Sequence, residues 1–128
     1  MMTDHVAGAG NRQLDERLER LLKRFAVAAR AHHEALEALD EERTEVQARM
    51  IAGLHGALVR EGKQGEELLL NLVDSPDPIV AGMAAVYSIR LDTGRCLAAL
   101  RRIAKEPGLL GFRAEVAIQR WESGEWEE

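Results

Sequence analysis

Apolar positions return every three or four residues from Leu14 onward, where Leu14, Leu18, Leu21, Phe25, Ala28, His32, Ala35 and Leu39 form one stripe. That spacing is the signature of an amphipathic helix, and Asp15, Glu16, Arg17, Glu19, Arg20, Lys23 and Arg24 fall on its wet side. Glu16 with Arg20 and Glu19 with Lys23 are acid-before-base pairs four apart, each worth roughly a few tenths of a kcal/mol to the same helix. Residues 1–10 are small and polar, with Gly8 and Gly10 close together, so a disordered lead is expected there.

A second helix is predicted over Glu41–Arg60, with Val46, Met50, Leu54 and Leu58 four apart, Ile51 beside them and Asp40 as its cap. No proline or glycine interrupts residues 36–45, so by propensity alone the two helices could be continuous. A single rod reaching Arg60 would be ~75 Å long at 1.5 Å per residue, too long for so short a chain to cover, and a break within 39–42 is therefore expected. Gly62 and Gly65 bracket the next turn. A short helix with Leu68, Leu69, Leu70, Leu72 and Val73 is apolar nearly all round, which implies burial from several sides.

The sharpest boundary is Asp74-Ser75-Pro76-Asp77-Pro78, where the prolines stop one helix and Asp77 caps the next with Pro78 in its first position. The small residues that follow, Ile79 through Val86, suit a helix packed closely by its neighbours. Residues 92–94 read as a turn, then Cys96, Leu97, Leu100, Ile103 and Ala104 form a stripe that Glu106-Pro107-Gly108 stops. A last helix carries Phe112, Val116, Ala117, Ile118 and Trp121, and Ser123-Gly124 ends it. No alternating β-branched run bounded by hairpin turns occurs, so the predicted class is all-α: one domain over 11–124, then an acidic tail, 125–128.

With 128 residues, the chain is long enough to bury roughly two-thirds of its unfolded surface in one core without a staple. Cys96 is the single cysteine, so no internal disulfide is possible, and it is expected as a small buried apolar residue. The start has no basic segment followed by an apolar run, and no stretch approaches a membrane span; a cytoplasmic protein without membrane contact is expected. A formal charge of −5 disfavours nucleic acid and suits a basic protein partner.

Residues 66–91, EELLLNLVDSPDPIVAGMAAVYSIRL, resemble one HEAT repeat: an apolar helix, an Asp-Pro turn and a small-residue helix. Residues 96–124 look like a second, degenerate copy about 30 residues on, with a Pro-Gly turn and an Ala-rich helix ending in Trp121 and Gly124. The whole, over roughly 14–124, is similar to short bacterial HEAT-like proteins classed as a domain of unknown function, in which two long N-terminal helices precede about two such pairs. A HEAT repeat usually carries a basic residue just after the apolar position following its Asp-Pro turn; here Ala81 and Gly82 follow Val80. The resemblance implies an α-α superhelix with an interaction role and no activity.

His32, His33 and Glu37, with His55 further along, are the only residues suggesting a metal site, since His33 and Glu37 sit four apart on one helix. Against that, His32 lies on the apolar stripe and reads as a packed, hydrogen-bonded core residue, while His33, Glu34 and Glu37 read as a solvated face. Neither a phosphate-cradling glycine loop nor a GxSxG turn is present, and Glu41-Glu42 and Glu66-Glu67 sit at helix heads where they complement the dipole. No catalytic residue and no cofactor are expected. Trp121 and Trp126 are both near the end; Trp126, beyond Gly124, is either a clasp on the domain's flank or an exposed anchor.

The leading expectation is a non-enzymatic protein-binding module, specifically an immunity protein that blocks a basic bacterial toxin domain through Asp74, Asp77, Glu122, Glu125 and Trp126. A helical adaptor or regulatory subunit is the alternative of the same fold. A small helical metal-binding protein or enzyme is the alternative of another class.

Overall fold

A computed structural model of the chain describes residues 2–126, with side chains from residue 12; Met1 of the expected lead and Glu127 and Glu128 of the expected acidic tail lie outside the described residues. It is all-helical among those residues: α1 (Met2–Glu37), α2 (Glu41–Arg60), α3 (Lys63–Asn71), a 3₁₀ turn (Leu72–Asp74), α4 (Pro78–Ser88), α5 (Thr93–Ile103) and α6 (Gly108–Glu122). Helix α1 folds back along α2; α4 packs against α1 and α5, and α5 against α6. One continuous core runs through them, from Leu18 and Phe25 past Leu54, Leu58 and Leu69 to Ile89, Cys96, Leu100 and Ala114.

Residues 2–10 of the expected disordered lead fall within the bounds of α1. Extending a helix already anchored by a packed stripe avoids the cost of nucleation, and residues 2–10 contain no proline to stop it. The break between α1 and α2 is where it was expected. Leu39 has φ 57°, a left-handed conformation that costs a non-glycine residue of order 1–2 kcal/mol, and it projects into solvent instead of continuing the α1 stripe. Asp40 then accepts a hydrogen bond from the Arg43 N–H at 3.0 Å and caps α2.

The other caps also follow from local sequence. Asp77 accepts from the Ile79 N–H at 2.9 Å with Pro78 opening α4, and Asp92 accepts from the Arg95 N–H at 3.2 Å, so residues 93 and 94, expected in a turn, already belong to α5. Gly62, at φ 84°, makes the turn between α2 and α3, and Gly124, at φ 78°, ends the chain's last helix. Gly65 does a different job from the one expected. It lies inside α3, fully packed, where a Cβ would collide with the Leu58 carbonyl of α2. Gly111 makes a corresponding close approach in α6, to the Glu106 carbonyl.

Besides Leu39, three expected stripe residues stand outside the core. Val46 and Met50 are exposed, and the buried line of α2 runs through Ile51, Leu54 and Leu58. A strict spacing of four advances about 40° beyond a full turn at each step, so residues 46 and 50 drift off the face that 54 and 58 occupy. In α6 the packed face is Gly111, Ala114, Ala117, Ile118 and Trp121, which leaves Phe112 63 % exposed.

Candidate functional site

Each acid expected to meet a partner already has one inside the molecule. The Asp77 carboxylate caps α4 through Oδ1 and pairs through Oδ2 with Arg30 Nε of α1 at 2.7 Å. Burial pushes the Asp77 carboxyl up, but the Arg30 hydrogen bond and the Ile79 and Val80 N–H groups outweigh it and hold it below the usual carboxylate value. Asp74 pairs with Arg95 of α5 at 2.5 Å. Helices α1 and α5 thus supply the arginines that hold the two aspartates of the turn. Glu122 lies 3.4 Å from Arg101, and Glu125 accepts from the Ser123 hydroxyl at 2.7 Å.

Trp126 is half-buried and meets Trp121 edge to face, with ring centroids 5.7 Å apart. Of its two expected roles the clasp is the one present. The aromatic edge folds residues 125–126 back onto α6 and adds apolar cover to the last helix.

No group of three or more His, Cys, Asp or Glu side chains able to hold an ion occurs among the described residues. His55 stacks at a tilt on Tyr87, centroids 4.7 Å apart, and burial depresses its pKa despite the opposing pull of Glu66. Cys96 is fully buried, and burial, helped by Asp92, pushes its thiol up to about 11, so it carries no thiolate near neutrality.

His32 and His33 differ from expectation in a way that creates a feature. Both are buried, at 8 % and 6 % exposure, because the C-terminal half of α1 is covered by α2 on one side and by α4 and its neighbours on another. The solvated face expected for His33 holds only for Glu34 and Glu37. His33 Nε2 faces Glu37 Oε1 at 3.5 Å, and the Nδ1 atoms of both histidines are buried without a hydrogen-bond partner among the described residues. The pKa of His32 is depressed by burial first, then by the positive charge of Arg113 and by His33.

His33 and Arg113 line a cavity of about 90 Å³ where α1, α4, α5 and α6 meet; Ala29, Met83, Ile103 and Leu110 are among its apolar walls. Arg113 is half-buried, with its pKa lowered by burial, and it has no carboxylate partner among the described residues. A second, more open cleft of about 290 Å³ lies between Asp74, Pro76 and Pro78 on one side and Arg102 and Glu106 on the other, and its lining is mostly polar.

Another feature lies on the α1–α2 hairpin. Arg24 Nη2 lies 4.0 Å from Met50 Sδ, which sets the turn of α1 holding residue 24 beside the turn of α2 holding residue 50. One turn nearer the hairpin loop come Val27 and Val46. Val27 is 62 % exposed, Val46 44 % and Met50 43 %, so each helix of the hairpin leaves apolar side chains in solvent.

Arg113, Val27 and this use of Val46 and Met50 were not singled out from sequence. Phasing α6 on Ala114, Ile118 and Trp121 would have put Arg113 at the edge of the packed face and Phe112 off it. No family model matches the chain, and no curated protein or solved structure matches it. No helix among the described residues is long and apolar enough to cross a membrane.

Proposed function

We propose that this protein is a non-enzymatic protein-binding module of HEAT-like architecture, and specifically a cytoplasmic immunity protein that docks on a basic bacterial toxin domain. The observation that carries the reading is the exposure of three large apolar side chains, Val27, Val46 and Met50, on the two helices of the α1–α2 hairpin. Exposed apolar side chains on neighbouring helices are the material from which an interface centre is built. The formal charge of −5 supplies the long-range attraction to a basic partner. Because Asp74, Asp77, Glu122 and Glu125 are held by internal partners, the direct contacts shift from those acids to the hairpin.

Two successive helix pairs, α3 with α4 and α5 with α6, support the HEAT-like part of the reading, each joined through a proline-containing turn. The test compares the unaltered protein with a Val27→Asp, Met50→Asp variant in a tagged pull-down from the native organism, together with co-expression beside the neighbouring toxin. The unaltered protein is expected to bring down a basic partner and to rescue growth, and the variant to do neither while remaining folded. A variant that still captures the partner and protects removes the hairpin from the interface; a non-toxin complex on the column moves the protein to the adaptor reading.

A further inference from the structure

Helix α6 packs one face inward and carries a second apolar line on the other. Gly111, Ala114, Ala117, Ile118 and Trp121 face the core, where α6 meets α5 and α4. Leu109, Phe112 and Val116 stand on the opposite side, Phe112 63 % exposed and the other two half-buried. With the exposed Gln119 they follow one another at spacings of three, four and three, the seam period of a two-stranded coiled coil. Trp126 folds onto Trp121, on the packed side of the helix, so residue 126 leaves this seam open. The charges beside the seam are sorted by sign, with Glu115 and Glu122 along one flank and Arg113 and Arg120 along the other. Glu115 and Arg120 are both exposed and have no ion pair among the described residues. Five residues apart, they are turned about 140° from each other around their own helix, whereas that offset is the one at which flanking charges meet across two parallel helices.

We propose that α6 pairs in parallel with α6 of a second copy of this chain, with Leu109, Phe112 and Val116 closing the seam and Glu115 of each copy meeting Arg120 of the other. Charge selects this occupant and this direction: each flank finds its opposite on an identical helix running the same way, while an antiparallel pair sets acid flank against acid flank. Twofold symmetry makes the Glu115 to Arg120 contact twice, and Arg113 falls opposite Gly108, which brings no like charge. The helix is only 15 residues long and one seam position is Gln119, so the pairing is weak, with a Kd of about 10–100 µM. The seam shares no residue with the α1–α2 hairpin, so the pairing does not depend on the toxin-binding reading.

Sedimentation velocity of the full chain from ~1 µM to ~1 mM tests the pairing, and a monomer–dimer equilibrium is expected within that range. Phe112→Asp puts a charge into the seam at an exposed position and is expected to leave a monomer throughout, with an unchanged urea midpoint at low concentration. Glu115→Arg sets arginine against arginine in both symmetric contacts and is expected to weaken the dimer about 5-fold or more. The double variant Glu115→Arg, Arg120→Glu exchanges the two signs and is expected to restore the original Kd to within about 2-fold, which a merely destabilising substitution would not do. A chain that stays monomeric to ~1 mM, a dimer that survives Phe112→Asp, a Glu115→Arg variant that pairs as well as the unaltered chain, or a double variant no better than the single one overturns the proposal.

Discussion

Gly65 and Gly111 are packed for the same reason: each lets a helix start almost in contact with a carbonyl of the preceding segment, Leu58 in one case and Glu106 in the other. A methyl group cannot be placed at either position without moving backbone. Gly53, in the middle of α2, has nothing within 4 Å of where its Cβ would be. The three positions therefore separate two effects of one substitution. Gly65→Ala and Gly111→Ala are expected to lower stability by about 1–3 kcal/mol through overpacking, while Gly53→Ala raises it by about 0.5–1 kcal/mol through helix propensity. Urea denaturation of the three variants checks this, and a neutral Gly111→Ala would mean that the turn before α6 yields more easily than its geometry implies.

At the scale of elements, Asp77 links two helices that are far apart in sequence. One oxygen of its carboxylate starts α4, and the other holds Arg30, near the middle of α1's packed half. The cap is the larger contribution, about 1 kcal/mol and up to about 2, whereas the ion pair is partly exposed on both sides and adds less than about 1 kcal/mol. Asp77→Asn preserves a capping oxygen and loses only the charge, so it is expected to cost less than Asp77→Ala. A double-mutant cycle with Arg30→Ala should give a coupling of a few tenths of a kcal/mol, on the order of other exposed pairs, that shrinks in high salt. Coupling that survives high salt would make the contact more buried in effect than its exposure indicates.

For the molecule as a whole, the perturbed groups define a stability plateau with two edges. His32 and His55 have folded pKa values below the ordinary histidine value of 6.5, so the unfolded chain takes up protons first and stability falls as pH drops below about 6.5. Asp77, also lowered, adds a further loss below the ordinary aspartate value of 3.8. Cys96, raised from 9.0 to about 11, acts in the opposite sense: the unfolded chain loses its proton first, and stability falls as pH rises above about 9. Tyr87, raised from 10.0, steepens that fall. Urea midpoints measured from pH 4 to 10 are expected to be level between about 6.5 and 9 and lower on both sides, and His32→Gln should flatten the acid edge. A midpoint that keeps rising as pH falls to 5 would contradict the burial of these histidines.

The helices, the loop between α1 and α2, and the caps at Asp40 and Asp77 were all legible in the sequence. Their causes are local: the period of apolar residues, a proline that fixes φ, and a short carboxylate in reach of an open N–H. What the sequence could not settle was the angular width of each buried face, which depends on how many neighbours a helix receives. Helix α1 meets α2 on one side and α4 on another, so His33 is buried along with His32; α2 meets α1 and, at its C-terminal end, α3, which leaves Val46 and Met50 in solvent. The assignment of the acids belonged to tertiary structure for the same reason, since Arg30 and Arg95 reach Asp77 and Asp74 from elements remote in the chain. The cavity lined by His33 and Arg113 exists only because four helices meet there, each contributing two to four wall residues that carry no pattern of their own.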